Sequence, residues 1–298
     1  MNTVRAIGIR LVGGLLLASG LSAGLFALTV RAIPSWGATA EEVARVMPGD
    51  ELTSHPTIRV TNAISIDAPP DAVWPWIAQI GDSRGGFYSY TFIENRIGAL
   101  TNTAGYHVTY TNADVIHPEW QNPTPGTLLI QGMLQVREIV PERHYLLAES
   151  AMPEVLLWPW VWQLEPLDGG ARTRLVSRYT IEGLGAAATN SARDFVFNLG
   201  GFVMHHKMLL GIKLRAEGGR EPGWMQPLEI GLWLTALLCG VAAALLFLLK
   251  PARGRPLGVA ALSVVVIFGL TFAQPPILLR LLLDAGLLGG LAWAARGR

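Results

Sequence analysis

Two kinds of apolar pattern divide the chain. Uncharged apolar runs occupy residues 11–30, 230–249 and 257–279. Each is long enough to cross a ~30 Å hydrocarbon core, which takes about 20 helical residues. Between the first and second runs the pattern is periodic instead. Residues 57–67 (TIRVTNAISID) set Ile58, Val60, Ile64 and Ile66 among polar neighbours and predict a strand. Ala68-Pro69-Pro70-Asp71 then opens a helix to about Gln79, with proline in the first turn and a carboxylate at the positive end. A Gly-rich turn from Gly81 to Gly86 precedes a second short helix over 89–97.

From Tyr106 to Ile181 the spacing predicts successive strands: HVTYT, ADVI, TLLIQGMLQVREIV broken near Gly132, HYLLAES, VLLWPWVWQLEPL and ARTRLVSRYTIEG. Trp158, Trp160 and Trp162 fall at period two, hence on one face of a strand. Leu167-Asp168-Gly169-Gly170 suits a hairpin turn. Residues 187–217 form a proline-free amphipathic stretch with Phe195, Leu199, Phe202, Val203, Leu209 and Leu210 at helical spacing. The fold class is therefore α+β, with an antiparallel sheet, two short helices and one long closing helix, flanked by transmembrane helices. The expected organisation is an anchor at 1–31, a linker at 32–56 with a short helix at 40–46, a domain at 57–217 and a linker at 218–228. A membrane region with two or three crossings completes it at 229–298.

Composition sharpens the membrane reading. The 298 residues are 51% hydrophobic and 15% charged, with mean hydropathy +0.36. Residues 31–228 carry 15 basic and 20 acidic side chains, net −5, and the remainder carries 8 and 2, net +6. An acidic domain lacks the basic face that nucleic acid requires. The other basic residues sit mostly at the ends of apolar runs: Arg5 and Arg10, Lys250, Arg253 and Arg255, Arg296 and Arg298. The bias of lysine and arginine toward cytoplasmic loops puts these clusters inside, and the middle domain on the extracytoplasmic side of the cell membrane. Four crossings satisfy all three clusters. Gln274-Pro275-Pro276 should break the third run, and Arg280 and Asp284, four apart, could pair on a further helix. Ala38-Thr39-Ala40 resembles a cleavage site, but a 20-residue uncharged run exceeds a signal core of about 7–15 residues and favours an uncleaved anchor. The single cysteine, Cys239, excludes a disulfide within the chain and a cysteine-based metal site.

The candidate chemistry centres on residues 71–98. Trp74, Phe87, Tyr88 and Tyr90, with Glu94 and Asn95, are aromatic rings near a turn with one carboxylate and one amide, a set that suits a pocket wall. Glu94 and Asn95 either bond a ligand at the cavity mouth or form a solvated helix face and a cap. His117, Glu119 and Trp120 lie in a turn-like HPEWQ segment. His117 and Glu119 could exchange protons near neutral pH, or the segment is a rigid structural turn. An inward Arg137 could meet an acidic head group, whereas alternation sends Glu138 to the opposite face and places Arg174 and Arg178 together. Trp160, with its neighbours, lines a cavity, caps the sheet or meets a membrane interface. His205 and His206 diverge by about 100° on a helix, so they cannot easily serve one ion with His107 or His144. No metal or other cofactor is called for, and no phosphate loop or nucleophile elbow is present.

Several of these segments carry a family likeness. They are Pro48-Gly49-Asp50-Glu51-Leu52, Ala68-Pro69-Pro70 with Val73-Trp74-Pro75-Trp76, Arg84-Gly85-Gly86-Phe87-Tyr88-Ser89-Tyr90, Glu94-Asn95 with Gly98, and Ile116-His117-Pro118-Glu119-Trp120-Gln121. Through them residues 48–215 resemble the START-like superfamily (polyketide cyclase and lipid transport proteins), and its membrane-anchored members above all. The resemblance implies a helix-grip fold, a sheet wrapped around the long helix with a cavity between. It implies a hydrophobic small molecule or lipid as partner. The fold hosts carriers and enzymes alike, so a binding protein, a cyclase- or hydrolase-like enzyme and a structural or assembly protein remain the three alternatives.

Overall fold

In the computed structural model the alternating segment at 57–67 is strand β1 (Ile58–Ile66). The structure describes residues 33–101, 111–130, 132–150, 154–185, 191–249 and 254–296, with 8, 12–14, 16, 19–27 and 188 besides; side chains at 97–101 and 191–198 are not among them. The remaining strands are β2 (Leu128–Leu129), β3 (Leu134–Val140), β4 (His144–Glu149), β5 (Leu156–Leu157), β6 (Trp160–Leu167) and β7 (Arg172–Gly183). They form one antiparallel sheet in the order β1-β7-β6-β4-β3-β2, with β5 paired to β7. The expected hairpin joins β6 to β7, where Asp168, Gly169 and Gly170 all adopt positive φ. The ADVI segment is not a strand, and most of HVTYT lies outside the described residues. The side chains of 111–116 instead tie a loop to its surroundings: Asn112 accepts from the Tyr88 amide at 2.7 Å and donates to the Ser89 carbonyl at 2.7 Å.

Helix α1 (Ala40–Ala44) is closed by a capping box between Thr39 and Glu42. Helix α2 (Pro70–Ala78) starts on Pro69-Pro70 with Asp71 in its first turn, as its sequence predicts. Helices α3 (Thr91–Thr101) and α4 (Ser191–Ala216) follow the second short and the long amphipathic patterns. One face of the sheet, with Val60 and Ile66, Tyr145 and Leu147, Trp160 and Trp162, and Leu175 and Ile181, packs with α2 residues and with Met208, Leu209 and Ile212 of α4. At Gly211 the helix backbone comes so close to Tyr88 that an added Cβ would lie 2.3 Å from its carbonyl oxygen.

The segment expected as a linker at 32–56 covers the other face. Met47 packs there on Ala63, Leu146, Val161 and Val176. Arg174 and Arg178 share that face, as alternation predicts. Arg174 grips Glu42 with two bonds of 2.7 and 2.8 Å and holds its carboxyl below the usual range. Arg178, 2% exposed, donates to Asp50 at 2.6 Å, to Thr61 at 2.9 Å and to the carbonyls of Glu42, Val43 and Arg45 at 2.8–2.9 Å. A loop-like composition concealed this clasp, because its acceptors are mostly backbone carbonyls, which carry no sequence signature.

The chain divides into two compact units, Ala32–Glu221 and Met1–Arg31 with Pro222–Arg298. In the second, α5 (Met225–Leu249), α6 (Gly254–Phe268), extended by a π-helical turn to Ala273, and α7 (Ile277–Arg296) are long and apolar enough to cross a membrane. The third apolar run breaks at Gln274, which takes a left-handed φ of 44° ahead of the two prolines. The first run is helical at its described residues between 12 and 27. The expected Arg280–Asp284 pair does not form. Arg280 reaches Glu229 of α5 at 3.3 Å and the Pro275 carbonyl at 2.6 Å.

Candidate functional site

Between the sheet and α4 lies an apolar cavity of about 490 Å³. Trp160 of β6 and Tyr179 of β7 form its sheet side. Gly200, Gly201, Val203, Met204, His205 and Met208 form its helix side. Ile93 and Glu94 of α3 close one end, with Phe87, Ser89, Ile130 and Trp158 from the connecting segments. Local pattern explains the placement. Period two turns Trp160 and Trp162 to the helix-facing side, with their rings 4.4 Å apart. The indole Nε1 of Trp160 donates to Ser177 at 3.0 Å. Adjacent positions on a helix diverge, so His205 faces the cavity while His206 packs on Trp36 at 3.9 Å.

Among the described lining residues, His205, Tyr179 and Glu94 have polar atoms without a hydrogen-bond partner. His205 is 2% exposed, and neither ring nitrogen has a hydrogen-bond partner. Its ring meets Tyr179 and Trp160 edge-on, with centroids 5.4 and 5.6 Å away. Burial, with a lesser contribution from His206, lowers its pKa to about 3, so the imidazole is neutral at pH 7. The Tyr179 hydroxyl is also buried and unpartnered, and burial raises its pKa. Glu94 has Oε2 sealed from solvent without a partner, and burial pushes its pKa up to about 8, which leaves it mostly a neutral acid at pH 7. Ser89 differs, since its hydroxyl donates to the Met204 carbonyl at 2.9 Å.

Of the nine expected ligand-contacting residues, Phe87, Glu94 and Trp160 line the cavity. The other six do other work or sit elsewhere. Trp74 packs in the core edge-on to Tyr145, at 6.4 Å. Tyr88 is fully buried, donates to the Trp76 carbonyl at 3.0 Å and accepts from Gln79 at 3.0 Å. Tyr90 is buried beneath the Lys207 ammonium, which stands 5.2 Å from its ring centroid. Asn95 is half-buried on α3, outside the lining. Trp120 stacks on His117 at 4.2 Å. Arg137 is exposed at a β-bulge, where β3 slips between Val136 and Glu138 against β4. That extra residue leaves both Arg137 and Glu138 exposed and defeats simple alternation.

The candidate catalytic pair is close together but outside the cavity. His117 Nδ1 lies 3.3 Å from Glu119 Oε1, and the Glu119 side chain is 61% exposed. The segment is held by its backbone: the His117 amide donates to Gln79 at 3.1 Å, and Arg84 donates to the Trp120 carbonyl at 2.6 Å. None of His117, Glu119, Tyr88 and Tyr90 is among the cavity's described lining residues. Among the described residues no group of three or more His, Cys, Asp or Glu is placed to hold a metal. The sequence pointed to one of His205 and His206 facing the cavity or the helix–sheet seam, and His205 does so, whereas Tyr179 was not singled out. One signal pointed toward them: Gly200-Gly201 inside a long helix, each costing about 1 kcal/mol relative to alanine. A Cβ at Gly201 would sit 3.2 Å from the Tyr179 hydroxyl, and one at Gly200 would meet nothing within 4 Å.

No family model and no curated protein matches the chain. It is similar to solved structures of a protein from Mesorhizobium loti (12% identity, 55% of this chain and 99% of that one, TM-score 0.31) and of a conserved protein from Geobacillus kaustophilus (15%, 54% and 96%, 0.28). A hypothetical protein from Helicobacter pylori is similar at 14%, over 59% and 97%, with TM-score 0.29. Likeness at this level assigns neither a family nor an activity.

Proposed function

We propose that this chain is a membrane-anchored binding protein of START-like, helix-grip type, which holds a hydrophobic small molecule or lipid. The apolar cavity between the sheet and α4 carries the reading. Its volume of about 490 Å³ falls within the ~300–1,000 Å³ of ligand pockets, and its wall is apolar with a few polar groups. An open cavity of this size also favours binding over a structural role with a filled core. The three long apolar helices, with the N-terminal apolar run, hold the domain at the cell membrane as a multi-pass protein. The basic clusters at the ends of the apolar runs support an extracytoplasmic side for the domain. Solvent extraction of the purified full chain, followed by mass spectrometry of the extract, tests the reading. An apolar compound recovered in near-stoichiometric amount is expected. Extracts that match an unrelated membrane protein purified alongside would contradict it.

A further inference from the structure

The cavity's polar atoms constrain its ligand's head group. Among the described lining residues there is no lysine or arginine, so an anionic carboxylate, sulfate or phosphate would meet no countercharge from them. What the wall offers is the Tyr179 hydroxyl, two imidazole nitrogens of His205 and the Glu94 carboxyl, with Tyr179 and His205 ring centroids 5.4 Å apart. The Tyr179 hydroxyl, both His205 nitrogens and Glu94 Oε2 are buried and unpartnered, a condition that native interiors rarely leave uncompensated. A neutral imidazole provides one donor and one acceptor, as do a phenol and an un-ionised carboxyl. A cationic head group would need Glu94 ionised in an apolar surround. The desolvation of both charges would then cancel most of their attraction. An uncharged polar group satisfies the same atoms and desolvates no ion.

We propose that the cavity takes a mostly apolar molecule whose polar end is uncharged and both donates and accepts hydrogen bonds, as a hydroxyl does, with Glu94, His205 and Tyr179 receiving that end. The proposal rests on the binding reading above. Its test uses four ten-carbon probes: decanol, decane, decyl sulfate and decylamine. Each is titrated at pH 7 into the full chain in lipid nanodiscs, and tryptophan emission is followed, since Trp158 and Trp160 line the cavity. Gly200→Leu, which adds a large side chain to the lining at a position where a Cβ meets nothing within 4 Å, serves as the blank for partitioning into lipid. Decanol should bind at least about tenfold more tightly than the other three, a difference of about 1.4 kcal/mol. His205→Phe and Tyr179→Phe keep the rings and should each bring decanol close to decane. Glu94→Gln, a neutral amide, should retain the preference. Decyl sulfate or decylamine binding as tightly as decanol would overturn the proposal, as would decane doing so, or Glu94→Gln losing the preference. Emission unchanged from the blank for all four probes would overturn the binding reading itself, and this proposal with it.

Discussion

Glu94 and His205 share a cavity and titrate in opposite senses. Glu94 binds its proton more tightly when folded, with a pKa of about 8 against an ordinary 4.5. Stability from that proton is complete below pH 4.5 and is lost as pH rises through 8. His205 binds its proton less tightly when folded, at about 3 against 6.5, so stability is complete above pH 6.5 and is lost as pH falls through 3. Between pH 4.5 and 6.5 the two slopes oppose each other. Glu94→Gln should therefore flatten the decline in stability between pH 6.5 and 8, and His205→Phe the decline between 4.5 and 3, in denaturant unfolding followed by fluorescence. Unchanged slopes would show that neither side chain is buried as described. Arg178 is a second residue-scale case. Arg178→Leu leaves Asp50 without its buried partner and should cost about 3–5 kcal/mol. A loss below 1 kcal/mol would mean that the Arg178 clasp adds little to what holds the 33–56 segment.

At the scale of elements, strands and helices were legible where periodicity is strong. β1, β6 and β7 and helices α2 and α4 fall where alternation, proline placement and the amphipathic stripe put them. The site was less legible, because family-like motifs and cavity-lining residues are largely different sets. The RGGFYSY and HPEWQ motifs lock to each other through Gln79, Arg84 and Tyr88, and their aromatic and polar residues read as a pocket although most hold the fold. Tyr179 and His205 come together only when β7 and α4 pack, two elements whose pairing the local patterns do not specify. The glycines of α4 separate the two roles. Gly211→Ala pushes a methyl into the Tyr88 backbone and should destabilise by about 1–3 kcal/mol. Gly200→Leu has open space and a better helix former, so stability should hold or rise by up to about 1 kcal/mol. Thermal unfolding of the two variants decides, and equal losses would contradict the close approach at Gly211.

At the scale of the whole molecule, composition alone revealed the division into a periodic domain and apolar helices, since uncharged runs of membrane length are conspicuous. The pairing inside the apolar unit was not legible. Arg280 and Asp284 have ideal helical spacing, yet Arg280 answers Glu229, far away in sequence. The sidedness proposed from the basic clusters has its own check. Val46 is 87% exposed on the domain, so Val46→Cys should react with a membrane-impermeant maleimide added to intact cells, against a background from the buried Cys239. Labelling only after lysis would place the domain in the cytoplasm.

The cavity between the sheet and α4 is the centre of the account. Native mass spectrometry of the full chain, released from nanodiscs at pH 7 after incubation with decanol, compares the protein directly with Gly200→Leu. One decanol per chain should remain on the protein and none on the variant, with both equally folded. Equal occupancy of the two, or none on either, would contradict a ligand cavity at this position.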